Sequence, residues 1–480
     1  MVHSACKKEK HLLPPKIKQV HFIGIGGYGM SALALILLKK GYRISGSDLR
    51  ASALTDLLAK EGAAVTIGHD AANLGSADLV VYSTAVPGGN PEFAAAEKRT
   101  LTIWHRSELL AALLNNSFGI AIAGAHGKTT TTAMVALLLE AGGLDPTVVI
   151  GGVLLAFGSN ARLGLGRYLV AEADESDSSF TRYHPRLALV TGIEPDHLEH
   201  YDNDYSRLQQ AYSTFLANLP PDGTAVLCSD DPALRELGSS LSCKVVYYSG
   251  SEEVDPAGAA SSNPAYYPAN ISLAGNSSVF DLYDRSRLIA AAVTLGVPGR
   301  HNIGNAVGAL ALAVQLGLDP AACAPALAAF QGVGRRFEVI GTVNEITVID
   351  DYAHHPTEVK ATLETARLSG RRVICLFQPH RYSRTAALFE EFARAFAAAD
   401  QVLLHRIYSA GEAPIEGIDA ATLAESIRRQ SNVPVIYSDD LTPLEEEAAR
   451  AARPGDLIIT MGAGDITYSA PRILKLLEAK

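Results

Sequence analysis

The segment with the clearest chemistry is GAHGKTT, residues 124–130. It lies between the apolar run FGIAIA and a helical pattern, and the backbone amides of such a loop, with the Lys128 ammonium and the Thr129 hydroxyl, supply what a triphosphate with magnesium requires. The loop is shorter than the pattern GxxxxGK[ST], because Ile122 stands where the first glycine would be. A plain glycine turn with a surface lysine is the alternative, which the flanking strand and helix disfavour. The predicted phosphate-binding residues are Gly124, Ala125, His126, Gly127, Lys128, Thr129 and Thr130.

A second glycine-rich segment, GIGGYGM at residues 24–30, also lies between a predicted strand and an apolar helix. Its glycines let the backbone approach phosphates at a helix N-terminus. Asp48 ends the next predicted strand, where a carboxylate accepts hydrogen bonds from ribose hydroxyls in dinucleotide folds. The segment predicts a nucleotide site, with a tight structural turn as the alternative, and does not say which nucleotide binds.

Two acidic segments follow predicted strands: EADESD at residues 172–177 and DHLEH at residues 196–200. The carboxyl ends of parallel strands meet at one edge of a sheet, so both segments should lie near the lysine-containing loop. Carboxylates and an imidazole there would hold Mg²⁺ against phosphates, since this hard cation prefers oxygen ligands. Solvated acidic loops and a chance surface pair of histidines are the alternatives.

Further along the chain, GRHNIGN and GVGRRF place amides and guanidinium groups beside predicted elements. Asn302 and Asn305 are three residues apart at the start of a helix, so their amides can face one way and bind adenine, ribose or a ligand at the helix terminus. Asn302 as a helix N-cap is the alternative. Arg335 and Arg336 would reach a transferring phosphoryl group, unless they are solvated linker arginines.

The last third of the chain carries DDYAHHP and QPHRYSR, each directly after a predicted strand. Arg381 and Arg384 should lie one helical turn apart, which suits two-point capture of a free carboxylate, with solvated surface charge as the alternative. Residues 350–355 form a denser set of titratable groups than turn chemistry explains.

Positioning these segments requires parallel sheets, and from residue 19 onward short apolar runs alternate with longer helical patterns, which is typical of βαβ units. Residues 250–300, rich in Ser, Gly, Pro, Asn and Tyr, predict an antiparallel appendage or long loops. The chain of 480 residues is long enough for about three domains. The predicted boundaries are a flexible tail at residues 1–16 and domains at residues 17–114, 115–331 and 332–480. The predicted strands are residues 20–25, 42–46, 64–67, 79–82, 118–123, 168–172, 187–191, 347–350, 372–377, 401–405, 434–437 and 456–460.

Composition excludes several functional classes. The formal net charge of −10 argues against a nucleic-acid partner, because such proteins need a basic face. No segment approaches the roughly 20 uninterrupted apolar residues of a membrane span, so we expect no membrane insertion. Five widely spaced cysteines encode neither a zinc site nor a disulfide framework, which favours a reducing cytoplasm.

The ordered series of motifs resembles the Mur ligases of peptidoglycan synthesis over nearly the whole chain, from GIGGYGM through GAHGKTTTT, EADESD, DHLEHY, GRHN, GRRF, DDYAHHPTE and QPHRYSR to MGAGDI. This resemblance implies an α/β protein of three domains: an N-terminal Rossmann-like UDP-binding domain, a central P-loop-type ATPase domain and a C-terminal Rossmann-like domain that receives the amino acid. It further implies ATP and Mg²⁺ as cofactors, and a monomer or a weak homodimer.

The resemblance also implies residue roles. Lys128, Glu172, His197, Asp351 and Arg336 would be catalytic, and Thr129, Glu172 and His197 would hold magnesium. Asn302, Asn305, Arg336 and Asp351 would join the phosphate loop in binding ATP. The amino-acid site would comprise Tyr352, His354, Arg381 and Arg384. The UDP-sugar site would comprise Gly24, Gly26, Gly27, Gly29, Met30, Asp48, Ser83 and Thr84.

The implied reaction joins L-alanine to the lactyl carboxylate of UDP-N-acetylmuramate through an acyl phosphate. A recycling ligase that adds a whole peptide is the rival within the family, and a nucleotide-dependent oxidoreductase is a remote alternative. Two departures stand out. Ala125 stands where the family loop usually carries Thr or a similar residue, and no lysine between Lys128 and Lys244 is available for the carbamylated lysine of sibling ligases.

Overall fold

The structure is a computed structural model that describes residues 13–252, 264–274 and 277–480. Most of the predicted flexible tail, together with Cys6, lies outside the described residues. Leu13 is already buried, so the packed part of the chain begins before the predicted boundary at residue 17.

The chain divides into two compact units. The first comprises Met1–Ala269, Asp281–Val293 and Gly304–Leu327, and the second comprises Asn270–Phe280, Thr294–Ile303 and Ala328–Lys480. The first unit contains the two glycine-rich loops, and the second contains the DDYAHHP and QPHRYSR segments.

The N-terminal part of the first unit is a five-stranded parallel sheet. Its strands are β1 (Gln19–Ile23), β2 (Arg43–Asp48), β3 (Ala64–Ile67), β4 (Leu79–Tyr82) and β5 (Thr102–His105), in the spatial order β3-β2-β1-β4-β5. Its helices are α1 (Tyr28–Lys39), α2 (Ala53–Lys60), α3 (Pro91–Lys98) and α4 (Arg106–Asn115). The strand order reverses between β1 and β4, and open α/β sheets bind ligands at the carboxyl edge of such a reversal.

A ten-stranded sheet follows. Its strands are β6 (Phe118–Ala123), β7 (Thr147–Leu154), β8 (Ser159–Arg162), β9 (Tyr168–Glu172), β10 (Leu187–Val190), β11 (Thr224–Cys228), β12 (Lys244–Tyr248), β13 (Tyr266–Ala274), β14 (Ser277–Asp284) and β15 (Arg287–Leu295), in the order β15-β14-β13-β12-β11-β10-β6-β9-β7-β8. Its helices are α5 (Lys128–Ala141), α6 (Tyr205–Ala217), α7 (Pro232–Ser239), α8 (Arg300–Gln315), α9 (Pro320–Cys323) and α10 (Pro325–Ala328). Strand β6 pairs in parallel with both β9 and β10, so the loops after these three strands share one edge.

The predicted appendage at residues 250–300 contains β13, β14 and β15. These strands are consecutive in the chain and adjacent in the sheet, and only Arg285 and Ser286 connect β14 to β15. So short a connection between neighbouring strands requires an antiparallel pair, as predicted. The part of the prediction that concerns residues 253–263 lies outside the described residues.

The second unit contains a six-stranded sheet. Its strands are β16 (Glu338–Val343), β17 (Ile346–Asp351), β18 (Val373–Phe377), β19 (Gln401–His405), β20 (Val435–Ser438) and β21 (Leu457–Met461), in the order β16-β17-β21-β18-β19-β20. Its helices are α11 (Pro356–Arg367), α12 (Tyr382–Ala387), α13 (Phe389–Arg394), α14 (Ala420–Gln430), α15 (Leu441–Ala451) and α16 (Ser469–Glu478). All neighbours are parallel except β16 and β17.

Both faces of this third sheet are buried. Along β18, Cys375 and Phe377 belong to one apolar cluster and Ile374 and Leu376 to another, because successive side chains of a strand point to opposite faces. Helices cover both faces, as in other mostly parallel sheets, and β18 is consequently apolar throughout. Within the described ranges, no helix is long and apolar enough to cross a membrane.

Candidate active site

The loop between β6 and α5 is shaped by two glycines. Gly124 has φ +129°, and a Cβ there would lie 2.0 Å from the Thr191 hydroxyl oxygen. Gly127 has φ +80°, and a Cβ there would lie 2.5 Å from Oδ1 of Asn305. Thr191 in turn donates to the His126 carbonyl at 2.5 Å. The segment after β10 and the helix α8 therefore pack directly against this loop, and the nucleotide-binding role of Asn305 stays a prediction.

Lys128, the first residue of α5, lies among acceptors. Its Nζ donates to both carboxylate oxygens of Glu175 at 2.7 and 2.8 Å, to the Gly124 carbonyl at 2.7 Å and to the Ala125 carbonyl at 3.3 Å. Burial opposes the charge of Lys128, but the carboxylates of Glu175 and Asp174 outweigh it and raise the pKa of this lysine. The side chain is thus a fixed ammonium aimed at the loop.

The acidic segment after β9 lies beside this ammonium, as predicted. Burial raises the pKa of Glu172, although its carboxylate accepts hydrogen bonds from the Gly151 amide at 3.0 Å and from the Thr129 side chain. Burial also works against ionisation of Asp174, yet the charges of Lys128 and Arg106 hold its pKa below the usual range. Glu172 and Thr129, two of the predicted metal ligands, are therefore in contact.

His197 follows β10 and has φ +56°, an uncommon conformation for a residue other than glycine. Its Nε2 lies 3.6 Å from Asp196 and its Nδ1 lies 3.8 Å from Glu199. His197 also contributes to the lowered pKa of Asp174, which places the imidazole within electrostatic reach of the same acidic segment.

The first glycine-rich loop is closed by Asp48. The Gly26 amide donates to Oδ2 of Asp48 at 2.8 Å, and the Arg50 amide donates to Oδ1 at 3.3 Å. One carboxylate oxygen therefore shapes the loop itself, a role that the sequence analysis did not predict. Ser83 and Thr84 directly follow β4, the neighbour of β1 at the point where the strand order reverses. Gly24, which follows β1, lies close to Val86 of the same segment, since a Cβ at Gly24 would lie 3.9 Å from the Val86 side chain.

Met30 is buried and packs beneath the loop, so its thioether does not line the edge of the sheet. What Met30 offers a ligand is its backbone amide, because the first amides of a helix have no partner within the helix. We therefore expect Met30 to contact a nucleotide sugar through its backbone amide and not through its side chain.

A buried polar network behind this edge was also missed. Glu92 of α3 accepts hydrogen bonds from Ser47 at 2.6 Å and Asn73 at 2.7 Å, and its carboxylate lies 3.0 Å from Nε2 of His21. Burial works against ionisation of Glu92, yet these hydrogen bonds lower its pKa to about 2. The network joins residues far apart in the chain, so no local motif could have revealed it.

In the second unit, Asp351 ends β17 and is buried. It accepts hydrogen bonds from the amides of Phe337 at 2.8 Å and Ala353 at 2.7 Å. Burial nevertheless raises its pKa to about 6. The guanidinium groups of Arg335 and Arg336 lie over the Tyr352 ring at 4.9 and 5.2 Å from its centre.

The two arginines differ in their partners. Arg335 pairs with buried Asp350 at 3.0 Å and donates to the Gly462 carbonyl at 2.6 Å, which indicates a structural role. Arg336 lies 3.5 Å from Glu358, and the Glu358 carboxylate also accepts a hydrogen bond from the His354 amide. Neither arginine belongs to a solvated linker, so that alternative is wrong.

The predicted amino-acid residues converge on one edge of the third sheet. The His354 ring lies 5.1 Å from that of Tyr352 and 5.8 Å from that of His380, and Nη1 of Arg384 lies 3.4 Å from Nδ1 of His380. The His380 ring also stacks on Tyr408, a residue that the sequence analysis missed. The signal for Tyr408 is weak, because it follows β19 without a recognisable motif.

The structure also decides two local details of these segments. Arg381 precedes α12 with φ +70°, and its carbonyl accepts the Thr385 amide at 3.2 Å, so Arg381 and Arg384 lie at the two ends of the first turn of α12, as predicted. Nη1 of Arg381 lies 4.0 Å from Glu412. Asn302 lies inside α8 rather than capping it, and its side chain donates to the Pro298 carbonyl at 2.7 Å. The alternative of an N-cap role for Asn302 is therefore excluded, and its role in nucleotide binding stays a prediction.

Comparison with known proteins supports the sequence reading. Two curated relatives, from Symbiobacterium thermophilum and Pelotomaculum thermopropionicum, are each 48% identical to this chain and bear the name UDP-N-acetylmuramate–L-alanine ligase. The first match covers 97% of this chain and 96% of the relative, and the second covers 96% and 98%.

Solved structures are similar over the same length. A UDP-N-acetylmuramate–alanine ligase, MurC, from Thermotoga maritima matches with TM-score 0.80 and 29% identity, over 96% of this chain and 99% of that one. A murein peptide ligase from Psychrobacter arcticus matches with TM-score 0.71 and 27% identity, over 96% and 98%.

Two sheets whose glycine-rich loops each follow a parallel strand at its carboxyl end, with a third sheet lined by arginine and histidine, define a nucleotide-binding α/β enzyme of three domains. Family models match residues 19–118 (Mur ligase family, catalytic domain), 122–313 (Mur ligase middle domain) and 335–464 (Mur ligase, glutamate ligase domain). The chain belongs to the Mur ligase family, and it is a ligase with the predicted fold class.

Proposed function

We propose that this chain catalyses the ATP-dependent ligation of L-alanine to the lactyl carboxylate of UDP-N-acetylmuramate, giving ADP and phosphate. The observation that carries the proposal is the Lys128 ammonium, fixed by Glu175 and the carbonyls of its own loop at the carboxyl edge of the central sheet. Relatives at 48% identity over the full chain bear the name of this activity.

The central loop supplies electrostatic stabilisation of a transferring phosphoryl group. Backbone amides at the start of α5 and the Lys128 charge would face the γ-phosphate of ATP, and Gly124, Ala125, His126, Gly127, Thr129 and Thr130 would complete this cradle. Moving that phosphoryl group onto the carboxylate creates an acyl phosphate with a good leaving group, which the alanine amine then displaces. Asn305 lies against Gly127 and would contact the nucleotide, with Asn302 on the same helix.

Magnesium fits the donor set beside Lys128. The Thr129 hydroxyl and the Glu172 carboxylate already touch, and Glu172 is an acid whose buried position favours a cation as its neighbour. His197 would complete the set from the adjacent strand end. A bound Mg²⁺ would neutralise charge on the phosphates.

The second unit would supply the amino-acid site. Arg384 and Arg381 would bind the alanine carboxylate, and His354 and Tyr352 would define the space for its side chain and amine. Arg336 and Asp351 would take part in ATP binding. The UDP-sugar would bind at the first sheet through Gly24, Gly26, Gly27, Gly29, the Met30 amide, Asp48, Ser83 and Thr84. A cytoplasmic location and a monomer or weak homodimer remain predictions.

Phosphate release tests the proposed reaction. Purified protein with ATP, Mg²⁺ and UDP-N-acetylmuramate should release phosphate when L-alanine is added, and oxygen isotope from the labelled carboxylate should appear in that phosphate. Lys128→Ala should abolish turnover while the protein stays folded. Lys244→Ala is the matched control, because this exposed lysine only donates to Gln315. Silence with alanine but turnover with a tripeptide would show the peptide-adding rival instead.

A further inference from the structure

Arg106 lies at an edge where the sequence analysis selected no arginine. It follows β5 directly and is the first residue of α4. Because all five strands of the first sheet are parallel, the end of β5 lies at the same edge as the glycine-rich loop after β1. A cation at this edge is within reach of whatever the loop binds.

The Arg106 side chain reaches across to that loop. A Cβ at Gly29 would lie 3.1 Å from Nη1 and 3.8 Å from Cδ of Arg106, so the guanidinium lies over the first turn of α1 and uses the space that the glycine leaves open. The N-terminus of a helix carries partial positive charge, so a second cation there is unfavourable without an anion between them.

One anion is supplied by the central sheet. Nη2 of Arg106 lies 3.4 Å from Oδ2 of Asp174, and both side chains are partly exposed. Asp174 also lies in the field of Lys128. A guanidinium has five N–H donors in a planar fork, and the contact with Asp174 uses one of them, so partly exposed donors remain for another acceptor oxygen. The site is therefore suited to a further anion with several acceptor oxygens.

We propose that Arg106 binds the diphosphate of the nucleotide sugar, together with the first backbone amides of α1, while Asp174 holds the guanidinium in place. The choice of nucleotide sugar rests on the proposed function, whereas the diphosphate contact does not. Arg106 thereby links the nucleotide-sugar loop of the first sheet to the acidic segment beside Lys128.

Equilibrium binding of UDP tests this assignment. Arg106→Ala should weaken binding of UDP and of UDP-N-acetylmuramate on the order of 10- to 100-fold, the loss typical of a charge-assisted contact. Uridine, which lacks the diphosphate, and ATP should bind as before. Unchanged UDP affinity, or a loss confined to the ligand that carries the carboxylate, would overturn the proposal.

Asp174→Asn separates ligand contact from a purely structural role. It breaks the same ion pair but leaves the guanidinium, so it should retain UDP binding within a few-fold. Equal losses in both variants would show that the ion pair only stabilises the fold and would overturn the proposal. Arg99→Ala, which removes an exposed arginine at the end of α3 that donates to the Gly75 carbonyl, should leave UDP binding unchanged. None of these measurements requires turnover, so absent alanine-dependent activity would refute the proposed function alone.

Discussion

Lys128 makes more hydrogen bonds than its three protons can serve equally well. A phosphate can gain this ammonium only by replacing one of the present acceptors, and Glu175 is the acceptor with a charge. Glu175 is almost fully buried, so water can hardly solvate its carboxylate if the contact with Lys128 is lost. The free energy of unfolding should therefore depend on whether Lys128 has a negatively charged partner, either Glu175 or a bound phosphate.

Glu175→Gln should lower the free energy of unfolding by about 3 kcal/mol without nucleotide, because a buried ammonium loses its counter-ion. MgATP should then raise the melting temperature more in the variant than in the parent protein, since phosphate replaces the lost charge. Thermal unfolding with and without MgATP measures both effects.

The control is Glu61→Gln, which breaks the exposed pair with Lys39. This change should cost less than about 1 kcal/mol. A Glu175→Gln variant no less stable than the Glu61→Gln variant would contradict the expected role of Glu175.

Asp351 gives the protein a pH-dependent stability of known sign. Its pKa is about 6 in the fold against an ordinary 3.8, so the stabilisation that it provides is complete below pH 3.8 and is lost as the pH rises through 6. Relative to Asp351→Asn, the protein should lose up to about 3 kcal/mol between about pH 4 and about pH 8. Urea unfolding of both proteins across this range measures the slope, and a constant difference at every pH would show that Asp351 titrates normally.

At the scale of elements, the loop before α5 depends on backbone that only glycine adopts without strain. Gly124 and Gly143 both have positive φ and lie before and after α5, but their surroundings differ. A Cβ at Gly124 would meet Thr191 at 2.0 Å, whereas a Cβ at Gly143 would meet nothing within 4 Å. Conformational strain is common to both positions, and crowding is specific to Gly124.

Gly143→Ala should therefore cost about 1 kcal/mol, the price of a left-handed conformation in a residue with a Cβ. Gly124→Ala should cost at least about 3 kcal/mol and abolish ATP binding, because the loop must move away from the segment after β10. Chemical unfolding compares the two costs, and equal values would show that the loop adapts without loss.

At the scale of the molecule, the first unit joins two sheets through α1. This helix packs against β7 and β8 of the ten-stranded sheet. Asn160 of β8 is buried and donates to the Tyr28 carbonyl and, at 2.9 Å, to the Ser31 hydroxyl. The central sheet thus holds the first turn of α1, which directly follows the glycine-rich loop after β1.

Asn160→Ala should lower the free energy of unfolding by about 1–3 kcal/mol and raise the KM for UDP-N-acetylmuramate, while the KM for ATP stays unchanged. Thermal unfolding and steady-state kinetics measure the two effects. Asn116→Ala removes an exposed side chain that donates to the Ala112 carbonyl, and it should change stability by no more than about 0.5 kcal/mol. If Asn160→Ala raised the KM for ATP as much as the KM for UDP-N-acetylmuramate, Asn160 would have no specific effect on the first sheet.

Candidate site residues could be predicted from the sequence wherever a motif directly follows an apolar strand. The predictions at residues 118–123 and 168–172 match β6 and β9, and the loop at Lys128 and the acid at Glu172 follow from them. Short or half-polar strands such as β5, β8 and β16 were missed, because a few residues of mixed polarity give the same pattern as a loop, and β7, β11 and β12 were missed as well.

The amino-acid order by itself determined the class of fold, the glycine-rich loops and the residue types at their ends, since hydrophobic periodicity and turn chemistry are local properties. Only the tertiary structure decided which side chains share a site. The contacts of Lys128 with Glu175, of Arg106 with Gly29 and Asp174, and of Glu92 with His21 join residues that are distant in the chain, and these pairings follow from strand order and packing rather than from spacing.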